Sequence, residues 1–188
     1  MMSSELVNQA KRFAEKAHKG QVRKLDSEPF MNHPTNVAAM LDAAGLDEIV
    51  VAAGYLHDVI EDTMVSADEL ETEFGRDVLQ LVLGNTEDNC LSWDESRTQT
   101  IKRAREGSLQ LKALIAADKF DNISSILKYY GHMGEKVWSV FSRGKYDQYW
   151  FYSEVAKALF ENVEETYIPP YFYEYRQLVQ QLKKIVEA

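Results

Sequence analysis

Apolar residues recur along this chain at helical spacing, and alternation of the kind that marks strands is nearly absent. Leu6, Ala10, Phe13, Ala14 and Ala17 share one face of a helix predicted from Ser3 to about His18, with Ser3 or Ser4 as its N-cap and Gly20 as its stop. The pattern then fails through "KGQVRKLDSEPFMN", which predicts an irregular basic loop carrying Lys19, Arg23 and Lys24 ahead of Pro29. His33-Pro34 opens a second helix, with Val37, Met40 and Leu41 on its apolar face and Gly45 at its end. Asp47 caps a third, running through "EIVVAAGYLHDVIED" to about Thr63; it is apolar almost all round, the mark of a buried central helix.

Ser66 and Glu69 have capping-box spacing at the start of a short helix that Gly75 separates from "RDVLQLVLGNT". Further helices are predicted from Trp93 to Glu106 and from Leu109 to Tyr129, interrupted at "EGS". The region 130–145 is broken by glycines, with "EKVWSVF" as a short helix, and "YDQYWFYSEVAKALFENV" is amphipathic. After Pro169-Pro170 a last helix closes the chain. The expected fold class is all-α, a compact single-domain bundle of about eight to ten helices.

At 188 residues the chain suits one domain, 1–188, with a sizeable core. No apolar run approaches the roughly 20 residues of a membrane span, and the N-terminus has no apolar signal-peptide core, so a cytoplasmic protein with no membrane partner is expected. The single Cys90 cannot form an internal disulfide, in keeping with a reducing compartment. A formal net charge of -9 argues against DNA or long RNA as partners, which require basic surface. A small phosphorylated ligand is still admissible where cations are concentrated locally, by clustered Lys and Arg or by a metal ion.

The candidate chemistry lies at the end of the third helix. Desolvating an unpaired charge costs several kcal/mol, yet this apolar segment carries His57, Asp58, Glu61 and Asp62. On a continuous helix His57 lies over Glu61 and Asp58 over Asp62, so all four line one side of a pocket. His57 and Asp58 can reach one divalent ion, while Glu61 and Asp62 are better placed for a bound water. Two further ligands are His33, at a helix start, and Asp118, set in the apolar run "LKALIAADKFDNI", where a buried carboxylate demands a partner. A His, His, Asp, Asp set suits Mn²⁺, Fe²⁺ or Zn²⁺ with positions open for water or substrate. His18 is read as interacting with the carbonyls that end the first helix, His132 as a surface residue, and Asp88 and Asp121 as caps or surface acids.

With these residues in view, "AHKGQVRK", "PFMNHP", "LHDVIEDT", "FG", "NTEDN" and "ADKFDNISSI" resemble, in order and approximate spacing, the hydrolase domain of RelA/SpoT-type proteins. The resemblance extends to the stand-alone small alarmone hydrolases of the HD-domain superfamily, and covers about 13–158. It implies an all-α HD fold binding one Mn²⁺ through His33, His57, Asp58 and Asp118, with Glu61 and Asp62 as the acid/base pair. It further implies that Asn122 contacts substrate and that Arg23 and Lys24 meet its phosphates. On physical grounds Lys19 and Lys119 are candidates for the remaining positive charge an anionic ligand needs. The family reaction removes pyrophosphate from the 3′ position of guanosine tetra- or pentaphosphate. Two cations of the family pattern are replaced, by Ser124 and Asn89. The Ser124 replacement motivates one alternative, an HD phosphatase of another nucleotide or dinucleotide; a rival from another class is a catalytically silent nucleotide sensor, against which the intact Glu61-Asp62 pair and complete ligand set argue. Tyr149 and Trp150 are candidates for stacking on a purine.

Overall fold

The computed structural model describes residues 4–25 and 27–188. Ser4 is the N-cap of α1 (Glu5–Ala17), its hydroxyl accepting the Val7 amide at 3.2 Å. His18 ends this helix and Gly20 turns the chain at φ +82° into the basic loop. One isolated antiparallel bridge, Val22 with Pro29, pinches that loop; no named strand occurs among the described residues. α2 (Asn32–Ala43) follows, with Gly45 at φ +74° just beyond it.

Asp47 caps α3 (Glu48–Leu56) by accepting the Ile49 and Val50 amides, both at 3.1 Å. The helix expected to run on to Thr63 instead breaks at His57 and Asp58, and resumes as the single turn α4 (Val59–Asp62). The cause is local competition: the Gly54 carbonyl, which a continuous helix offers to the Asp58 amide, accepts the His57 Nδ1–H at 2.8 Å. α5 (Ala67–Asn85) is two helical pieces joined across Gly75, at φ +81° and ψ 170°, as the glycine in the sequence predicts. α6 (Trp93–Glu106) starts with a complete capping box between Ser92 and Glu95.

α7 (Leu109–Met133) runs one turn beyond its expected end at Tyr129 and leads into a 3₁₀ segment, Gly134–Val140, where a short helix was expected. α8 (Lys145–Ala158) and α9 (Pro170–Glu187) complete the bundle. α3 packs on α1, α2 and α5, while α7 packs on α2, α5, α6 and α9, so these two helices form the centre of the core. Val50, Ala52, Ala53 and Leu56 of α3 and Ala113 to Ala117 of α7 are completely buried. The fold is all-α, and no helix among the described residues is long and apolar enough to cross a membrane.

Candidate metal centre

Four side chains converge where α2, the α3–α4 corner and α7 meet. His33 projects from the first turn of α2, His57 and Asp58 form the break between α3 and α4, and Asp118 sits midway along α7. The two imidazole Nε2 atoms are 3.0 Å apart. Asp58 Oδ2 is 3.2 Å from that of His57 and 3.6 Å from that of His33. Asp118 Oδ1 is 3.4 Å from His33 Nε2 and 4.0 Å from His57 Nε2. Ligand atoms of His33, His57 and Asp58 all lie within 4.8 Å of one another.

The outer nitrogens explain why this arrangement calls for a cation. His33 Nδ1 donates to Asp121 Oδ2 at 2.7 Å and His57 Nδ1 donates to the Gly54 carbonyl at 2.8 Å. With each Nδ1 protonated, neutral rings turn two Nε2 lone pairs on each other across 3.0 Å, which is repulsive unless a proton or a metal ion lies between them. Two nitrogens bonded to one ion at about 2.1 Å stand about 3.0 to 3.4 Å apart, so the observed spacing fits a shared ion. The charges agree. Burial opposes a charged His33, but the carboxylates of Asp118, Asp121 and Asp58 hold its pKa up at about 9. Burial likewise opposes charge on His57, and Asp58 outweighs it, so that pKa is raised. Burial would raise Asp118, yet Lys119 and the two imidazoles bring it well below the ordinary carboxylate range.

Each donor is fixed from behind. Asp118 Oδ2 accepts from Lys119 at 2.8 Å and Asn85 at 3.1 Å, and its Oδ1 accepts from Asn122 at 2.6 Å. Asp121, expected as a cap or a surface acid, is instead buried and binds three groups: His33, Asn36 at 2.8 Å and Arg23 at 3.1 Å. A carboxylate on the far nitrogen of a ligand histidine sets its tautomer and ring orientation. The signal available in the sequence was its place on the same helix, one turn from Asp118. His18 also departs from expectation: its ring does not bond the helix carbonyls but lies buried, stacked on Phe30 at 4.5 Å and bonded to Gln21 at 2.8 Å.

The cluster opens into a cleft of about 840 Å³. Glu61 lines it, with Oε2 accepting the Glu87 amide at 2.8 Å, and burial pushes its pKa up to about 7 despite that bond. Asp62 also lines the cleft; partial burial raises its carboxyl, and its carbonyl accepts from Gln21 at 2.8 Å. Arg23, Lys24, Lys119 and Asn122 reach the cleft, whereas Lys19 is exposed and outside its lining. Arg23 already shares its guanidinium between Asp121 and, at 3.4 Å, Asn122. Arg97 and Glu87 are cleft residues that the sequence did not single out; they pair with each other, and Ser96 donates to Glu87 at 3.0 Å. Neither Tyr149 nor Trp150 lines the cleft: Trp150 rests against Trp93, centroids 6.1 Å apart, and α8 turns Gln148, Phe151 and Tyr152 to the cleft instead.

A family model described as an HD domain matches residues 10–124. A guanosine-3′,5′-bis(diphosphate) 3′-pyrophosphohydrolase of Drosophila melanogaster is 39% identical over 112 residues, spanning 58% of this chain and 63% of that protein. Its namesake from Xenopus tropicalis is 36% identical over 130 residues, 66% of this chain and 73% of the relative. Among solved structures, a protein from Listeria monocytogenes EGD-e superposes with a TM-score of 0.77 at 40% identity, covering 82% of this chain and 98% of its own. A metazoan SpoT ortholog described as hydrolysing ppGpp superposes with a TM-score of 0.78 at 27% identity, covering 96% and 97%.

Proposed function

This chain belongs to the HD-domain family, and from that premise we propose that it is a metal-dependent phosphohydrolase that removes pyrophosphate from the 3′ position of guanosine 3′,5′-bis(diphosphate). The observation that carries the reading is the convergence of His33, His57, Asp58 and Asp118 beside Glu61 in a cleft that Arg23 and Lys24 also line. The names of the Drosophila and Xenopus relatives support the substrate. The same reading takes 1–188 as one HD-type domain that α9 closes.

His33, His57, Asp58 and Asp118 would hold one divalent ion, Mn²⁺ being the ion the family resemblance implies. When bound, the ion supplies polarisation of a phosphoryl oxygen and a lowered pKa for a water beside it. Glu61 takes the proton of the attacking water on Oε1, because Oε2 is tied to the Glu87 amide. A carboxyl poised at about 7 has the basicity that step needs near neutral pH. The water oxygen bonds to phosphorus, the bond from phosphorus to the 3′ oxygen breaks, and Asp62 supplies a proton to the departing oxygen, leaving GDP and pyrophosphate. Arg23 and Lys24 face the phosphates, and Asn122 contacts the substrate from beside Asp118.

The test is a rate measurement on purified Mn²⁺-loaded protein across a nucleotide panel. Stoichiometric GDP and pyrophosphate from guanosine 3′,5′-bis(diphosphate) is the expected result. Turnover of a monophosphate or dinucleotide without turnover of this compound defeats the substrate, a reading that the uncharged Ser124 and Asn89 favour. Absence of turnover on any nucleotide that the protein binds leaves a sensor.

A further inference from the structure

The turn that carries Glu61 and Asp62 is too short to hold its own shape. α4 is four residues long, and the Asp62 amide donates to the Asp58 carbonyl at 2.9 Å. A single helical turn fixes more backbone than its one bond repays. Thr63 then leaves in extended conformation. The placement of Asp62 therefore depends on what grips this turn from outside.

One grip comes from the end of α1. Gln21 donates from Nε2 to the Asp62 carbonyl at 2.8 Å. Its own backbone is held on both sides, the amide donating to the His18 carbonyl and the carbonyl accepting from the Phe30 amide, each at 3.0 Å. Because Nε2 faces a carbonyl, Oε1 is the acceptor turned to His18, so His18 Nδ1 carries the proton of the 2.8 Å bond between them. The imidazole is 2% exposed and stacks on Phe30 with the ring planes 25° apart. Phe30 in turn meets the His33 ring edge-on, centroids 6.3 Å apart.

The other ring nitrogen is a second, independent sign. His18 Nε2 is buried and has no hydrogen-bond partner among the described residues. An unpaired buried nitrogen is a standing cost to the fold, and a phenyl ring in the same place would avoid it. A phenyl ring could not hold the Gln21 amide. The imidazole is thus a poor choice for packing and a good one for orienting Gln21.

We propose that His18 and Gln21 are positioning residues for the reaction: His18 fixes the Gln21 amide, and Gln21 fixes the Asp62 end of α4 so that the Asp62 carboxyl faces the departing 3′ oxygen. This rests on the function proposed above and on Asp62 as its proton donor. The stretch "AHKGQVRK" then divides its labour, with Arg23 and Lys24 turned to the phosphates and His18 and Gln21 to the acid.

Two substitutions separate positioning from packing. His18→Phe keeps the stack on Phe30 and deletes the donor; His18→Asn keeps a donor where Nδ1 stood and leaves a cavity beside Phe30. In the full-length Mn²⁺-loaded protein, His18→Phe is expected to lower kcat for guanosine 3′,5′-bis(diphosphate) about tenfold to a hundredfold, with KM and Mn²⁺ affinity changed less than about twofold. His18→Asn should melt at a lower temperature than His18→Phe and yet recover kcat to within about threefold of the wild type. Gln21→Met, at a half-buried position, removes the bond to Asp62 itself. It should match His18→Phe, and it decides the matter if neither His18 variant folds. Hydrogen exchange supplies a reading that needs no turnover: the Asp62 and Val65 amides, bonded to the Asp58 carbonyl and to Thr63 Oγ1, should exchange faster in His18→Phe and Gln21→Met, and the α2 amides should not. Unchanged exchange at 62 and 65, a loss carried by KM or metal affinity in place of kcat, or rates that follow the thermal midpoint overturn the proposal. A wild type that turns over no nucleotide defeats the function proposed above and the catalytic part of this inference with it, and exchange alone then decides the tie between α1 and α4.

Discussion

Glu61 is a carboxylate whose character the fold changes. Its side chain is packed against the cleft wall, so its pKa rises from 4.5 to about 7. The folded state therefore holds this proton more tightly than the unfolded chain does. Between pH 4.5 and 7 the folded protein binds more protons than the unfolded, so the group's contribution to stability is complete below about 4.5 and is lost as pH rises through 7. Ionising it at pH 8 costs up to roughly 3 kcal/mol. Glu61→Gln stays neutral and can still accept the Glu87 amide. Chelator-treated Glu61→Gln is expected to melt above the wild type at pH 8 and to lose that advantage by pH 5, while its turnover with Mn²⁺ falls by a factor on the order of 10² to 10⁴. An advantage of equal size at both pH values would show that burial of the charge is not the cause. Glu61 as a candidate beside the His-Asp pair was legible in "LHDVIEDT", and the structure puts it on the cleft wall; its pKa was not legible, because desolvation depends on what α5 and its following loop place over it. Asp121 makes the same point: its partners His33, Asn36 and Arg23 come from elements that meet α7 only in the folded protein.

Among the elements, α3 shows how helix packing sets the chemistry. A methyl group added at Gly54 would lie 2.8 Å from Leu41 Cδ1 and 3.1 Å from the Ala38 Cα, so α2 and α3 approach each other through this glycine. The Gly54 carbonyl also holds His57 Nδ1, while α2 carries His33. Gly54→Ala must part the two helices, at a cost of about 1 to 3 kcal/mol. The same displacement separates the two imidazoles, so metal affinity should fall along with the urea midpoint, read by competition with a chromophoric chelator. A loss of stability with unchanged affinity would mean that α2 gives way without moving His33. Helix identities and most starts were legible, because caps such as Ser4, Asp47 and Ser66 act within one turn of chain. The break at His57 and Asp58 was not legible, since it depends on a side chain competing for a backbone carbonyl at the place where these two residues face α2 and α7.

At the scale of the molecule, the residues proposed to hold the ion come from three segments that the unfolded chain holds far apart, so an ion that binds them all binds the folded state preferentially. At a hundredfold excess over its Kd the ion adds about 2.7 kcal/mol of stability, which for a chain of this size raises Tm by roughly 5 to 10 °C. Mn²⁺ should produce that rise, a chelator should reverse it, and Asp118→Ala should abolish it; an undiminished rise in that variant would place the ion elsewhere. The sequence by itself determined the helical class, the order of the elements and the residue types that can bind a dication, because periodicity, caps and side-chain chemistry are local properties. Only the tertiary structure decided which far nitrogen meets Asp121, that Lys19 lies outside the cleft, and that α8 turns Gln148 and Tyr152 inward in place of Tyr149 and Trp150. Those outcomes depend on how helices rotate and cross when they pack, and a single helix carries no record of which of its faces a distant neighbour will cover.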